Sequence, residues 1–578
     1  MSSSNPTQTP SWHFILLTVA GLFRFVNLGF LDLQAWDEAL YTVRAQAIIH
    51  FGAWLDQSPH AIGGLYSSLH PPLYVWLTAG IFHLFGEGEA AARTISTLAG
   101  AATLPFIALL GKRLANPETG LVAALLFGLN PFVTFFARQG QFDTLLVFFL
   151  TVSAYYFLET LDEPRGKAPL LAGLSLGLAL MTKLFVAFLM PGAVFLVLLR
   201  RINKPGKALI TRLAAALAVA AVISIPWHTF MALSHADGNP LFFFIQSALV
   251  ERTIYGIEGN VQPLEVFYYI NQVVVLSPAA AFFFLSKARE FYVSRDSTTG
   301  LLWIWFVLFF LLFSLMRTKL AVYTLPMFVP MSLLAAAVLW KNVLQPFQRT
   351  SWFVLMTGTS LFLIWSSSQD CRTAVKDVLR SLLSFQMADS GSILLVALLV
   401  ASGATAAAVA FWGTSRLWFP GIRRHFVILL IAATGGFSLV DIVLMDNTRY
   451  NDGAADVASF IEDRGFQRII VAGSDRNPQL TYYLGGADIQ WRSDISVRRI
   501  FPPASPAAYG AWLIEELIGE PSTTLLLIEK DKFKRYETIN PQEFVPTDYD
   551  LVLETRRYSA YLRPPTNFLA GVEPGTNY

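Results

Sequence analysis

Apolar runs of about 20 residues recur along most of this chain, and that repetition restricts it to folds that can live in a bilayer. A helix needs roughly 20 apolar residues to cross about 30 Å of hydrocarbon, and its backbone polar groups must be satisfied internally there. Runs at 12–31, 92–111, 120–137, 143–161, 168–182, 184–199, 208–230, 265–285, 300–316, 320–340, 352–367, 391–412 and 425–445 read as spans, about thirteen helices in all. The balance of the 578 residues agrees, with 54% hydrophobic and only 14% charged. A shorter apolar stretch, Pro72 to Gly86, reads as an amphipathic helix lying at the interface, within a first outer loop over 32–91. Net charge is +2, which gives no electrostatic basis for nucleic-acid binding, and the single cysteine, Cys371, excludes an internal disulfide. The polar segment Met1 to Pro10 has no basic stretch before the first apolar run, so that run is expected to be retained as a signal anchor.

Lys and Arg in the short loops set the orientation. With the N-terminus in the cytoplasm, the inner loops hold pairs and clusters such as Lys112 and Arg113, Arg200, Arg201, Lys204 and Lys207, and Arg416, Arg423 and Arg424. Most outer loops then hold single cations: Arg44, Arg138, Lys183, Arg252, Arg317 and Lys319. Composition shifts after Asp446. Gly453 to Arg464 reads as a helix; Arg468–Ala472, Thr524–Ile528 and Asp550–Glu554 read as buried strands. The chain is therefore expected to be a mostly α, polytopic membrane protein, with a membrane domain over 1–445 and a small extracytoplasmic α/β domain over 446–578.

Several polar residues fall on the outer face. Asp37 and Glu38 follow the first span. They are either a helix start, where the macrodipole favours acids by about 0.3–1 kcal/mol, or chemical groups. Asp143 and Arg138 share one short turn, and His70 immediately precedes Pro71 and Pro72, which suit the first turn of a helix. Lys183, Arg252 and Lys319 stand near membrane depth, where ionisable groups are expensive and default to function; snorkelling to headgroups is the alternative. Cations grouped with acids on one face fit an anion held at the membrane surface, and phosphate fits best. No HExxH spacing, cysteine cluster, Walker loop or GxSxG occurs, which argues against nucleotide hydrolysis and a serine nucleophile.

Together these residues resemble the GT-C superfamily of integral membrane glycosyltransferases, in the branch of the lipid A aminoarabinose transferases and protein O-mannosyltransferases. The likeness rests on Trp36-Asp37-Glu38 with Tyr41, His70-Pro71-Pro72-Leu73, Ala137-Arg138 with Asp143, Thr182-Lys183, Glu251-Arg252, and Lys319 with Tyr323 and Pro326. It implies a sugar donor carried on a polyprenyl phosphate, an inverting transfer at the outer face of the plasma (inner) membrane, and an acceptor hydroxyl or phosphate on an envelope lipid, glycan or protein. It also implies catalytic roles for Asp37, Glu38 and Asp143, Asp37 being the general base. His70, Arg138, Lys183, Arg252, Lys319 and Tyr323 would hold the donor phosphate. In aminoarabinose transferases a Glu-Lys pair precedes the prolines; here Leu69 and His70 stand there, which leaves a divalent metal possible and the metal ligands unknown. The alternatives are a transporter or lipid flippase, a ligase using a diphosphate-linked donor, and a non-enzymatic envelope assembly protein. Most acids lie at one face rather than deep in several helices, which disfavours the transporter.

Overall fold

A computed structural model describes residues 11–34, 37–62, 64–65, 70–162, 166–201, 206–235, 268–269, 296–343, 453–472, 478–486, 490–500, 509–530 and 545–563. The chain divides into two compact units. The first comprises 1–26, 69–74 and 95–444; the second comprises 27–68, 75–94 and 445–578. Most of the segment 32–91, apart from 69–74, thus groups with the C-terminal segment.

The described helices before the C-terminal segment are α1 (Ser11–Leu22), α2 (Asp37–Phe51), α3 (Leu73–Phe85), α4 (Glu89–Leu114), α5 (Pro117–Gly128), α6 (Pro131–Ala137), α7 (Asp143–Asp162), α8 (Ala168–Leu180), α9 (Leu184–Ala187), α10 (Leu189–Arg201), α11 (Lys207–Ser234), α12 (Ser297–Leu315) and α13 (Leu325–Val343). Among the described residues, five helical segments are long and apolar enough to cross a membrane: 89–114, 143–162, 207–234, 297–315 and 321–340. The expected spans at 352–367, 391–412 and 425–445, and nearly all of 265–285, lie outside the described residues.

Three expected spans differ from the continuous helices the apolar runs imply. The first run is helical only to Leu22 and then turns through a 3-10 segment, Phe23–Phe25. The run 120–137 breaks after Gly128: Asn130 accepts a hydrogen bond from the Val133 amide and Pro131 opens α6, a strong capping signal inside an apolar run. The run 184–199 breaks at Phe188 between α9 and α10. The break after α5 exposes the Gly128 carbonyl, which accepts Arg24 Nη2 at 2.7 Å and the Thr134 hydroxyl at 3.1 Å. Arg24, a charge near the end of the first apolar run, is therefore a fully buried tie between α1 and the α5–α6 corner.

Small residues let the helices of the first unit approach backbone to backbone. A Cβ on Gly120 would lie 2.1 Å from the Ala108 carbonyl oxygen, and one on Gly173 would lie 2.3 Å from that of Ala216. Contacts this close substitute for the hydrophobic effect, which does not drive helix association in lipid.

In the second unit, α14 (Ala454–Arg464) leads into β1 (Arg468–Ala472), α15 (Pro478–Tyr483), β2 (Ser496–Ile500), α16 (Tyr509–Leu517), β3 (Leu525–Glu529), β4 (Asp550–Glu554) and β5 (Tyr558–Leu562). The sheet order is β2-β1-β3-β5-β4, with β2, β1 and β3 parallel and β5 antiparallel to both β3 and β4. Alternate residues of β1 and β3 enter two cores. Ile469, Val471, Leu525 and Leu527 join α14 and α15 on one face; Ile470, Ala472, Leu526 and Ile528 join α16 on the other. Burial on both faces accounts for their uninterrupted apolar sequence. β4 is not a buried strand but an exposed edge, with a register irregularity between Leu551 and Leu553; its partner β5 supplies the buried positions.

Gly120→Leu should clash with the α4 backbone and lower stability by on the order of 1–3 kcal/mol or more. Thermal unfolding in detergent reads this directly, and an unchanged midpoint would reject the close α4–α5 packing.

Candidate functional site

In the first unit the chain from Phe136 to Thr144 makes a tight turn that delivers Asp143 to the first position of α7. Polar side chains of α4 fix that turn: the Ser96 hydroxyl donates to the Gln141 carbonyl at 2.6 Å and the Thr97 hydroxyl to the Ala137 carbonyl at 3.0 Å. The Thr144 hydroxyl closes it by donating to the Phe136 carbonyl at 3.0 Å. Gly100 leaves room for the turn, since a Cβ there would lie 2.7 Å from that of Ala137. Asp143 is thus held by a braced backbone rather than by a floppy loop.

Lys183 arrives from another direction. After α8 the Lys183 amide still donates to the Ala179 carbonyl at 2.9 Å, but its own backbone is extended, which ends the helix. The ammonium lies 3.1 Å from an Asp143 oxygen, with the two side chains 14% and 11% exposed. It also lies 4.9 Å from the ring centroids of both Phe142 and Tyr323. Tyr323, in a 3-10 turn over Ala321–Thr324, stacks on Phe313 at 4.7 Å, so that wall is itself packed. His70 lies 5.2 Å from Phe142, ring to ring, and the Leu73 amide donates to the Met181 carbonyl at 3.3 Å beside Lys183. The result is an ammonium between two aromatic faces with one carboxylate, an arrangement that keeps positive charge at a partly dry site.

Other expected residues are placed differently. Arg138 donates through Nη1 to the Arg24 carbonyl at 2.7 Å and the Val26 carbonyl at 2.6 Å, at the end of the first helical segment. Lys319 is buried, 2% exposed, and donates to the Phe313 and Ser314 carbonyls at 3.0 and 2.7 Å. There it satisfies the C-terminal carbonyls of α12, a cap that the helix dipole favours. Its Nζ also sits 5.1 Å from the Tyr269 ring. Burial lowers the Lys319 pKa. Arg252 lies outside the described residues.

Asp37 and Glu38 belong to the second unit and separate in role. Asp37 is exposed at the first position of α2. Glu38 is 2% exposed and pairs with Arg93 at 2.7 and 3.0 Å through both carboxylate oxygens. Arg93 also donates to the carbonyls of Leu28, Leu31 and Asp32 at 2.7–2.9 Å. The sequence reading overlooked Arg93 and Phe142. Arg93 lies 55 residues from Glu38, and nothing local marks the pair. Phe142 stands beside Asp143, where its aromatic character was the available signal. Among the described residues no three His, Cys, Asp or Glu side chains gather as a metal site.

The side chain of Asp32 is buried and accepts from the Ala455 amide at the start of α14, at 3.3 Å. Burial, with Asp456 and Glu89 nearby, pushes its pKa up to about 6. A raised carboxylate favours folding when protonated, so its contribution is full below the ordinary 3.8 and is lost as pH climbs through about 6. The gap corresponds to roughly 3 kcal/mol at most. Unfolding midpoints from pH 4 to pH 7.5 should therefore fall more steeply for the native chain than for Asp32→Asn; parallel curves would remove Asp32 as the source. Glu38→Gln should destabilise by about 3–5 kcal/mol by leaving the Arg93 guanidinium buried without its counter-charge. A loss below 1 kcal/mol in the same melts would mean that the pair carries no load.

Residues 69–227 match the family model of dolichyl-phosphate-mannose-protein mannosyltransferases, a segment that contains His70, Arg138, Asp143 and Lys183. The chain is 30% identical over 332 residues to the undecaprenyl phosphate-alpha-4-amino-4-deoxy-L-arabinose arabinosyl transferase 1 of Proteus mirabilis, covering 56% of this chain and 57% of that one. It is 28% identical over 334 residues to the corresponding transferase of Pseudomonas aeruginosa, covering 57% and 60%. The chain thus spans less than two thirds of the length of the curated relatives it matches. In fold it is similar to ArnT from Cupriavidus metallidurans, crystallised with undecaprenyl phosphate, at a TM-score of 0.67 and 19% identity over 97% of this chain and 99% of that one. The archaeal oligosaccharyltransferase AglB from Archaeoglobus fulgidus is more distant, with a TM-score of 0.51 and 14% identity over 90% and 69%. The chain is thus similar over 69–227 to the mannosyltransferase family, over about 330 residues to the aminoarabinose transferases, and in fold to ArnT.

Proposed function

We propose that this protein is an inverting glycosyltransferase that moves a sugar from a polyprenyl phosphate to a hydroxyl or phosphate of an envelope lipid, glycan or protein. The observation that carries the reading is the Lys183 ammonium, seated between Phe142 and Tyr323 and balanced by Asp143, inside the segment that matches the mannosyltransferase family. Relatives named for undecaprenyl phosphate-linked aminoarabinose support a lipid phosphate as the donor's leaving group. The reading includes about thirteen spans, an inner-membrane location, and an outer face that bears the first loop and the C-terminal α/β segment.

The chemistry assigns each group a task. The acceptor oxygen attacks the anomeric carbon, the bond from that carbon to the phosphate oxygen breaks, and its electron pair leaves with the phosphate. Asp37, exposed at the start of α2, takes the acceptor proton, a contribution of typically 10²–10⁴-fold. Lys183 meets the charge that builds on the leaving phosphate, in the manner of an oxyanion hole. Asp143 orients Lys183 and keeps the site neutral between turnovers. Attack opposite the phosphate inverts the anomeric centre. Glu38 belongs to the support of the Asp37 segment, and Lys319 to the end of α12. No step is routed through a metal.

With undecaprenyl phosphate-linked 4-amino-4-deoxy-L-arabinose as the probe donor, Asp37→Asn should abolish release of undecaprenyl phosphate while leaving membrane insertion intact. Lys183→Met should weaken donor binding about 10–100-fold, in line with the roughly 1.5–3 kcal/mol of a charge-assisted contact. A well-folded Asp37→Asn protein with full activity would sink the base assignment.

A further inference from the structure

The segment Leu31–Gln34 precedes α2 and belongs to neither helix nor strand. It has no ladder to fix it, so side chains must satisfy its buried backbone groups. Arg93 holds the carbonyls of Leu31 and Asp32, and the Gln34 amide donates to Glu38 at 2.6 Å. Leu33 is fully buried, and its two backbone groups are held from far along the chain. Its amide donates to the Tyr483 hydroxyl at 2.9 Å, and its carbonyl accepts Gln479 Nε2 at 2.6 Å. The Tyr483 hydroxyl in turn donates to Glu89 at 2.9 Å, which fixes the direction of its proton and leaves a lone pair for Leu33. Both side chains come from α15, which packs on α2. Ala455, at the start of α14, makes a third tie through the Asp32 carboxylate.

We propose that Gln479 and Tyr483 are positioning residues for Asp37: α15 grips the backbone of Leu33 and so sets where α2 begins and where its first carboxylate stands. The proposal rests on Asp37 as the base. Its content is that the C-terminal α/β segment contributes to turnover through the Asp37 segment, besides any role in recognising an acceptor. Both ties are neutral hydrogen bonds to main chain, so their loss alters geometry without altering charge. Misplacing a reacting group by about 1 Å costs on the order of 10²-fold in rate while leaving ground-state binding of a separate substrate intact. A purely structural role would lower stability or donor affinity instead.

The test uses the full chain in lipid nanodiscs, with Tyr483→Phe and Gln479→Met, which keep bulk and remove one tie each. Hydrogen exchange is followed at the Leu33 and Gln34 amides alongside undecaprenyl phosphate release from the aminoarabinose-linked donor. Exchange at the Leu33 and Gln34 amides should quicken about tenfold or more while β1 and β3 keep their protection. The kcat should drop about 10–100-fold with the donor KM within twofold. Unchanged exchange at the Leu33 and Gln34 amides in both variants would overturn the grip whatever the activity. Full kcat in both, beside an inactive Asp37→Asn, would overturn the positioning role and leave the base assignment standing. Full activity of Asp37→Asn would remove that assignment and the proposed consequence with it, while exchange still judges the grip separately.

Discussion

Arg93 fills a cage made from one carboxylate and three main-chain carbonyls, and the second unit depends on that cage. A guanidinium taken out of water is costly unless its donors are satisfied, and here four of its partners come from a single stretch of chain, Leu28 to Glu38. The exchange works in both directions. The loop gains an organising centre that needs no regular secondary structure, and the cation gains the only kind of environment in which it can be buried. Tyr483, Gln479 and the start of α14 hold the same segment through further hydrogen bonds.

The first unit meets the same difficulty with different means. Three of its described helix ends are answered by a nearby cation: Arg24 at α5, Arg138 at the first helical segment, Lys319 at α12. Charges that membrane position alone marks as functional thus divide into two sets. One set closes helices. The other, Lys183 with Asp143, is braced by aromatic rings and by α4 hydroxyls and keeps partial access to solvent. Partners, rather than depth in the chain, separate the two.

The parts that were legible in the sequence are those whose signal is local. RIIVA and LLLIE announced β1 and β3 because a strand buried on both faces leaves an unbroken apolar run. The helix read from Gly453 to Arg464 is α14, and Gly453 and Gly465, both with positive φ, bracket it. β2 (SVRRI) escaped notice because an edge strand with one half-exposed face carries arginines, and β5 because its small and aromatic residues do not alternate by polarity. Asp143 and Lys183 could be named individually from their motifs. Their approach to 3.1 Å joins the ends of two helices 40 residues apart, and no spacing rule conveys it. The ties of Leu33 to Gln479 and Tyr483 reach across some 450 residues and become visible only in the folded chain.

Arg24 also constrains how such a protein is made. Its hydrogen-bond partner across the fold, the Gly128 carbonyl, emerges from synthesis a hundred residues later. Until α5 and α6 have been inserted, α1 carries an arginine near its end that hydrocarbon penalises by about 2.5–3.5 kcal/mol at a helix centre. The newly made first segment is therefore better accommodated with Arg24 at the headgroups, or shielded by the insertion machinery, than settled in lipid. Its final seat is created by the corner that Asn130 and Pro131 cut into a later apolar run, so α1 is made well before the partner on which it docks.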